Sequence, residues 1–307
     1  MAERTWRRPL DHGLRDAYLA RLGHTSPPPP TVQALLDLHR AQVERVPYEV
    51  VWIALGEQRG VDPLESVGHL VNGRGGYCYH LNGAFACLLD WLGFDVHWRV
   101  GGVQTSSDDE PVGATANHLA LEVHGLPAAE SPDGRWFVDT GLGDALHEPL
   151  PLRPGSYPQD PSVFTLRPSP VIPGGWRFDH DPRGGFHGMD FTPSEATVAD
   201  FADRHRELST GPDSAFVRVV TLALRGRGSI TTLRSLRLTR RGTPDGQTGQ
   251  SSQADQADRA DLATKADYFA ALQDVFRLRL SDVDDQRRDA LWHRVRADHE
   301  EFLSRAQ

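Results

Sequence analysis

The sequence predicts an α+β fold in three parts: helices first, then a sheet bent into a small barrel or tight meander, then helices and strands together. Three observations carry this. Up to residue 92 the apolar residues recur mainly at helical spacing, and Gly93 ends the run. Directly afterwards Phe94, Val96, Trp98 and Val100 alternate with polar neighbours, the period of a strand with one buried face. From Thr192 both patterns return. The parts are 1–92, 93–191 and 192–307.

Taken in order, residues 14–46 read as two helices separated by the prolines at 27–30. Thr31 caps the second, whose inward stripe is Val32, Leu35, Leu36, Leu38 and Val43. A short helix near 62–72 leads into the glycine turn 73–76. Beyond it Leu81, Phe85, Leu88 and Leu92 mark a helix with one buried face. The strand from Phe94 ends at Gly101-Gly102, and residues 104–116, rich in Ser, Thr, Asp and Gly, form a loop. Strands at 118–123 and 135–140 follow, separated by a turn at Ser131-Pro132-Asp133-Gly134. Short connections between successive strands favour an antiparallel sheet. Residues 148–190, dense in Pro and Gly with isolated aromatics at Tyr157, Phe164, Trp176 and Phe186, read as irregular structure with a few strands. A helix at 194–206 and strands at 215–224 and 229–240 open the third part. Residues 242–262 are too polar to pack and read as a mobile loop or linker, and a helical segment at 266–306 closes the chain.

Composition narrows the function. With 33 basic against 42 acidic residues the formal charge is −9, and no Lys/Arg block stands out, so nucleic acid is not the expected partner. The first residues, Met1 to Arg8, carry charges without an apolar stretch behind them and do not read as a signal peptide. No run approaches the roughly 18 apolar residues of a membrane span. The expectation is a soluble, cytoplasmic protein. Its two cysteines, Cys78 and Cys87, lie nine residues apart on one predicted helix, about 13 Å by helical rise. A disulfide needs less than about 7 Å, so both are expected as free thiols. Neither their number nor their spacing suits zinc, and no metal is expected. His180, Asp181 and His187 match no ligand spacing and read as solvent-exposed in a glycine-rich loop.

Cys78 stands where a helix begins. Unpaired N–H groups there favour a thiolate, and two glycines upstream leave room for a substrate to approach the sulfur. A thiolate nucleophile needs an imidazole to move protons, and the imidazole needs a carboxylate to fix its tautomer. His118 opens a strand whose other face is Leu119, Leu121 and Val123. Asp139 follows Trp136-Phe137-Val138 at the end of a strand, before Gly141 and Gly143. Each residue alone is also what a small buried cysteine, a strand-end histidine or a turn-forming aspartate looks like. Their order and context are what single them out.

Those segments resemble the arylamine N-acetyltransferase family. Its Arg-Gly-Gly-x-Cys-x-Glu-x-Asn stretch is similar to Arg74-Gly75-Gly76-Tyr77-Cys78-Tyr79-His80-Leu81-Asn82. Its His-x-x-Leu-x-Val and Val-Asp-Val-Gly-x-Gly stretches are similar to 118–123 and 138–143. Val46-Pro47-Tyr48-Glu49-Val50 echoes the family's Ile-Pro-Phe-Glu-Asn, and residues 208–216 its Leu-Ser-Thr-x-Pro-x-Ser-x-Phe. The resemblance implies a cysteine-protease-like catalytic core: a helical domain bearing the cysteine, a β-barrel domain bearing the His and Asp, and an α/β lid. It implies two-step acyl transfer from acetyl-CoA or another acyl thioester, with no permanently bound cofactor, through Cys78, His118 and Asp139 to a small amine. Tyr77, Tyr79 and Phe216 become candidates for the substrate pocket.

Three positions depart from the pattern: His80 replaces the Glu, Val50 replaces the Asn, and His205 stands in an Asn position. A histidine at 80 loses or reverses the attraction that a carboxylate would have for a basic neighbour such as Arg74. Four readings follow: arylamine or arylhydrazine acetylation; an amide synthase drawing on a CoA or acyl carrier protein thioester; a cysteine hydrolase of papain or transglutaminase type; and a non-catalytic binding protein. A net-acidic surface disfavours an acidic carrier unless a local basic patch exists.

Overall fold

The computed structural model describes residues 4–105, 110–243 and 258–305. The helices form where the caps say they should. Helix α1 (His12–Leu22) starts at Asp11, whose carboxylate accepts from Leu14 N, and stops at Gly23 with φ 87°. Helix α2 (Val32–Arg45) is capped by Thr31 as expected, its hydroxyl accepting from Ala34 N. The two-residue strand β1 (Tyr48–Glu49) and the turn of helix α3 (Val51–Ala54) follow, then α4 (Pro63–Val71), capped by Asp62 with Pro63 in its first turn. Helix α5 (Cys78–Trp91) is buried on every side from Cys78 to Leu89, not on one face as its apolar spacing suggested. It carries no charged residue before Asp90, so neighbours can cover its whole circumference.

The first sheet contains β2 (Asp95–Gln104), β3 (His118–His124), β4 (Trp136–Val138), β5 (Leu150–Pro151), β6 (Gly155–Gln159), β7 (Ser162–Pro168), β8 (Trp176–Asp179) and β9 (Gly188–Phe191). Its order is β5-β4-β3-β2-β9-β8-β7-β6, with every pair antiparallel. The two edge strands are joined by residues 152–154 alone, so the sheet curls round into a nearly closed barrel. Strand β2 runs on through Gly101 and Gly102, where it was expected to end. A Cβ on Gly102 would lie 1.7 Å from the Gly113 carbonyl oxygen, so that glycine admits a crossing loop rather than breaking the strand. Where irregular structure with a few strands was expected at 148–190, five strands form, the last running to Phe191. Phe164, Leu166, Phe178, Met189 and Phe191 fill the barrel, while Pro151, Pro158 and Pro168 sit on edge strands or at a strand end, where a missing N–H costs little.

Helices α6 (Ala199–Thr210) and α7 (Ala215–Arg218) cross to a second sheet of β10 (Thr221–Arg225), β11 (Ser229–Arg234), β12 (Arg237–Gly242) and β13 (Asp258–Asp261). Residues 215–218 are therefore helical, not strand, because the Ser214 hydroxyl caps the turn. The expected strand at 229–240 is a hairpin folded at Ser235, φ 49°. Asp258–Asp261 pairs with β12 although it falls in the stretch read as a linker. Residues 244–257 of that stretch, and 106–109 of the loop before His118, lie outside the described residues.

The closing segment is α8 (Lys265–Ala270) running into a π turn, Ala271–Val275, then α9 (Asp285–Arg305). The helix breaks at 276–284 because Phe276, Leu278, Leu280 and Val283 turn into the core under β10 and β11. Strand β1 belongs to this second sheet as its edge, pairing with β10, and also bridges Gly76. No helix among the described residues is long and apolar enough to cross a membrane.

Candidate active site

The turn before α5 is held from behind. Glu49, fully buried, accepts from Val51 N at 2.7 Å and Trp52 N at 3.3 Å and so starts α3. Arg59 Nη1 lies 3.5 Å from the same carboxylate and donates to the Gly75 carbonyl at 2.9 Å. A Cβ on Gly75 would meet the Pro47 carbonyl oxygen at 2.1 Å, so only glycine lets this loop lie against β1. Arg74 donates to Glu57 at 2.7 Å and to both oxygens of Asp282 at 3.0 Å.

On that platform Cys78, His118 and Asp139 come together, all buried. His118 Nε2 lies 2.7 Å from Asp139 Oδ2, and the Cys78 thiol, beside His118, donates to the Asn117 carbonyl at 3.7 Å. Burial works to lower the His118 pKa, but the neighbouring Asp139 first, and then Cys78, prevail and push it up to about 10. The second oxygen of Asp139 accepts from Asn82 Nδ2 at 2.8 Å and Gly141 N at 2.9 Å. Asn82 also donates to Leu119 O at 2.6 Å and accepts from the amide and hydroxyl of Thr140. Its amide thus ties the helix carrying the cysteine to the strands carrying the other two residues. A Cβ on Gly141 would lie 2.6 Å from Cys78 Cα, so the Asp139 loop can close on the cysteine only through a glycine.

The aromatic candidates surround this relay. Tyr77 is buried, its hydroxyl 2.5 Å from His205 Nδ1, and His205 Nε2 is 2.6 Å from the Arg59 carbonyl. Tyr79 is buried and donates to the Ala116 carbonyl at 2.5 Å, which anchors the turn before His118. Phe216 is half-buried, edge-on to Tyr77 and to Tyr48. Tyr48, which the sequence did not single out as a site residue, packs edge-on to Phe216. Burial first, then the charges of Cys78 and Asp144, raise its hydroxyl pKa well above the usual value. It also lines a water-sized void with Asp139, Gly143 and Arg225.

His80 does not disrupt the Arg74 contacts, because Glu57 and Asp282 already supply them. At the third residue of α5 its Nδ1 faces Tyr77 N at 3.4 Å, the reach-back acceptor position that Glu or Gln fills in a capping box. Burial and the neighbouring Arg59, His205 and His69 hold its pKa well below the usual value, so it is neutral. His205, another of the three departures, packs 5.8 Å from it, ring centre to ring centre, against the same Trp52. The two histidines therefore share one aromatic box.

His39 was also missed. It is fully buried in α2, with Nδ1 3.0 Å from the His147 carbonyl and Nε2 3.0 Å from the Asp139 carbonyl. Burial lowers its pKa to about 4. Its only sequence signal is a polar residue within an apolar helical stripe.

Both cysteines are free and buried, and burial pushes the Cys87 thiol up to about 12. Of the residues expected to be solvent-exposed, His187 is, but His180 and Asp181 are buried. His180 packs among Phe164, Phe178 and Phe186, 3.4 Å from Asp144, and Asp181 accepts from Val163 N and Arg183. The side chains of Asp95, His97 and His124 converge elsewhere, on β2 and β3, where Arg4 already donates to Asp95 at 2.8 Å.

The N-acetyltransferase family model matches residues 31–285. Arylamine N-acetyltransferase 1 of Oryctolagus cuniculus is 27% identical over 251 residues, 74% of this chain and 82% of that protein. Proansamycin X synthase of Amycolatopsis mediterranei is 30% identical over 156 residues, 49% of this chain and 57% of the synthase. The solved arylamine N-acetyltransferase of M. smegmatis superposes with a TM-score of 0.77 at 25% identity, covering 94% of this chain and 99% of that one. With a helical part, a nearly closed barrel and a second sheet arranged about one buried cysteine, the chain belongs to the arylamine N-acetyltransferase family of acyl-transferring enzymes.

Proposed function

We propose that the protein moves an acetyl group from acetyl-CoA to the nitrogen of an arylamine or arylhydrazine through an acyl-enzyme on Cys78. The observation that carries this reading is the buried grouping of Cys78, His118 and Asp139, with His118 2.7 Å from Asp139 and its pKa raised. The thiolate attacks the thioester carbonyl. The N–H groups at the very start of α5, beginning with that of Cys78, face the oxyanion. As the carbonyl re-forms, the CoA sulfur leaves and takes the proton from His118, so the acyl-enzyme sits beside a neutral imidazole. An amine then attacks the acyl carbon, His118 takes its proton, and the Cys78 thiolate leaves, which restores the starting ion pair. Asp139 keeps the imidazole oriented throughout.

Phe216 and Tyr48 flank the acyl group in this reading, with Tyr77 and Tyr79 shaping the wall from behind. The chain divides into units 1–92, 93–191 and 192–307, except that β1 joins the third unit's sheet. Two free thiols suit a reducing cytoplasm.

A second reading, amide synthesis with a longer acyl chain, draws on the likeness to proansamycin X synthase. Intact mass after mixing the protein with acetyl-CoA and with longer acyl-CoAs tests both. A +acetyl adduct on the wild type and none on Cys78→Ala is the expected result. A preference for long chains selects the second reading, and no adduct with any donor overturns the first.

A further inference from the structure

Outside the candidate reaction centre, the ends of α1 and α2 meet residues just before β5 and just after β10 in a groove of about 480 Å³. Its carboxylates are already engaged. Asp37 accepts from Gln33 and Arg40, Glu148 from Arg40 at 2.9 Å, and Glu44 from His147 at 2.6 Å. Two arginines lining the groove, Arg45 and Arg227, make no side-chain hydrogen bond or ion pair among the described residues. The Arg45 guanidinium lies over Gly23, where a Cβ would come within 2.8 Å of it.

More positive charge borders the same rim. Arg21 donates to the Arg277 carbonyl at 3.0 Å, and its Nε is buried without a partner. Burial first, then the charges of Arg279, Arg277 and Arg45, depress the Arg21 pKa. Arg277 holds a left-handed backbone, φ 55°, and no carboxylate pairs with Arg277 or Arg279 among the described residues. Five arginines gather here on a chain whose net charge is −9; Glu44, already engaged by His147, offsets part of the charge of Arg45 and Arg277, and an added anion would relieve the repulsion that remains.

We propose that this groove is a binding site for a phosphate-bearing polyanion, gripped by Arg45 and Arg227 with Arg21, Arg277 and Arg279 supplying the field. Guanidinium forks match phosphate oxygens in pairs, and the volume admits two linked phosphates with part of the group that bears them. The groove adjoins the back of the reaction centre, since the carbonyl of its floor residue His147 faces His39, whose other nitrogen faces Asp139. The phosphates come either from a free polyphosphate or from the nucleotide end of a CoA thioester.

Calorimetric titration of the full chain with inorganic pyrophosphate, and separately with adenosine 3′,5′-bisphosphate, tests the site without reference to catalysis. The wild type is expected to bind at least one of them, with affinity falling steeply as salt rises. Arg45→Ala with Arg227→Ala, and Arg45→Glu alone, are expected to weaken binding by about tenfold or more. Neither side chain makes a hydrogen bond or ion pair among the described residues, so these variants should fold, and a far-UV spectrum like that of wild type checks this. An increased KM for acetyl-CoA in the double variant assigns the phosphates to the thioester. Lost pyrophosphate binding at an unchanged KM assigns them to a separate ligand. The proposal is overturned if neither probe binds the wild type, or if the variants bind as it does. Acylation of Cys78, read by mass in the same variants, reports independently on the catalytic reading.

Discussion

His118 and His39 sit on opposite sides of Asp139 and titrate in opposite directions. The folded His118 pKa of about 10 lies above its ordinary 6.5. Its charge therefore contributes stability in full below about pH 6.5, and that contribution is lost as the pH climbs to about 10. His39, lowered to about 4, is neutral when folded and protonated when unfolded between pH 4 and 6.5, so stability falls as the solution is acidified through that window. Stability from this pair should peak near pH 6.5. In an NMR titration His118 should stay protonated until about pH 10, and in Cys78→Ala its midpoint should drop as the contribution of Cys78 is removed. A His118 midpoint near 6.5 in the wild type would sink this reading of its surroundings. Cys78, His118 and Asp139, the three proposed reacting residues, were legible because each stands beside glycine or a strand end in a recognisable stretch. His39, Tyr48 and Glu49 were not, because their roles come from residues about 10 to 110 positions away that the fold brings to them.

Helix α5 positions two parts of the site at once, since Cys78 and Asn82 are four residues apart and lie on one face. Asn82→Ala should leave Asp139 with one fewer donor and strand the Thr140 amide and the Leu119 carbonyl. At about 1–3 kcal/mol for a buried unpaired group, and 1.36 kcal/mol per decade of rate, kcat should fall about tenfold to a hundredfold. KM should change little, and steady-state kinetics on the purified variant would show it. A kcat equal to wild type would mean that the Gly141 amide alone orients Asp139. The helices and the strands before residue 140 were readable from caps and periodicity. The number and places of the barrel strands after 148 were hidden because prolines at strand ends look like loop composition, and Asp258–Asp261 because its pairing with β12 is made by the backbone. The same holds for the one-sided burial expected of α5, since a sequence without charges does not say how many neighbours will cover it.

Across the whole molecule, Arg225 joins the two sheets. From β10 its guanidinium donates to the Ala145 carbonyl at 2.8 Å, Gln159 at 2.9 Å and Asp160 at 2.7 Å, and it is 1% exposed. Burial first, then repulsion from Arg241, lowers its pKa to about 10, which still leaves it charged at neutral pH. Replacing it with Met should leave the buried Ala145 carbonyl unpaired and hand those of Gln159 and Asp160 to solvent. A loss of about 1–3 kcal/mol would lower the melting temperature by roughly 2–8 °C. A calorimetric melt within a degree of wild type would show that the sheets do not depend on this contact. The strand β1 carries the same dependence into the making of the protein. Its partner across the sheet, Thr221–Arg225, lies about 170 residues later in the chain. A growing polypeptide released at residue 200 would therefore hold Cys78, His118 and Asp139 but lack the strand against which β1 is braced. Chemical competence should emerge from the ribosome late and all at once, and a truncated product should be restored only by supplying the missing C-terminal piece in trans.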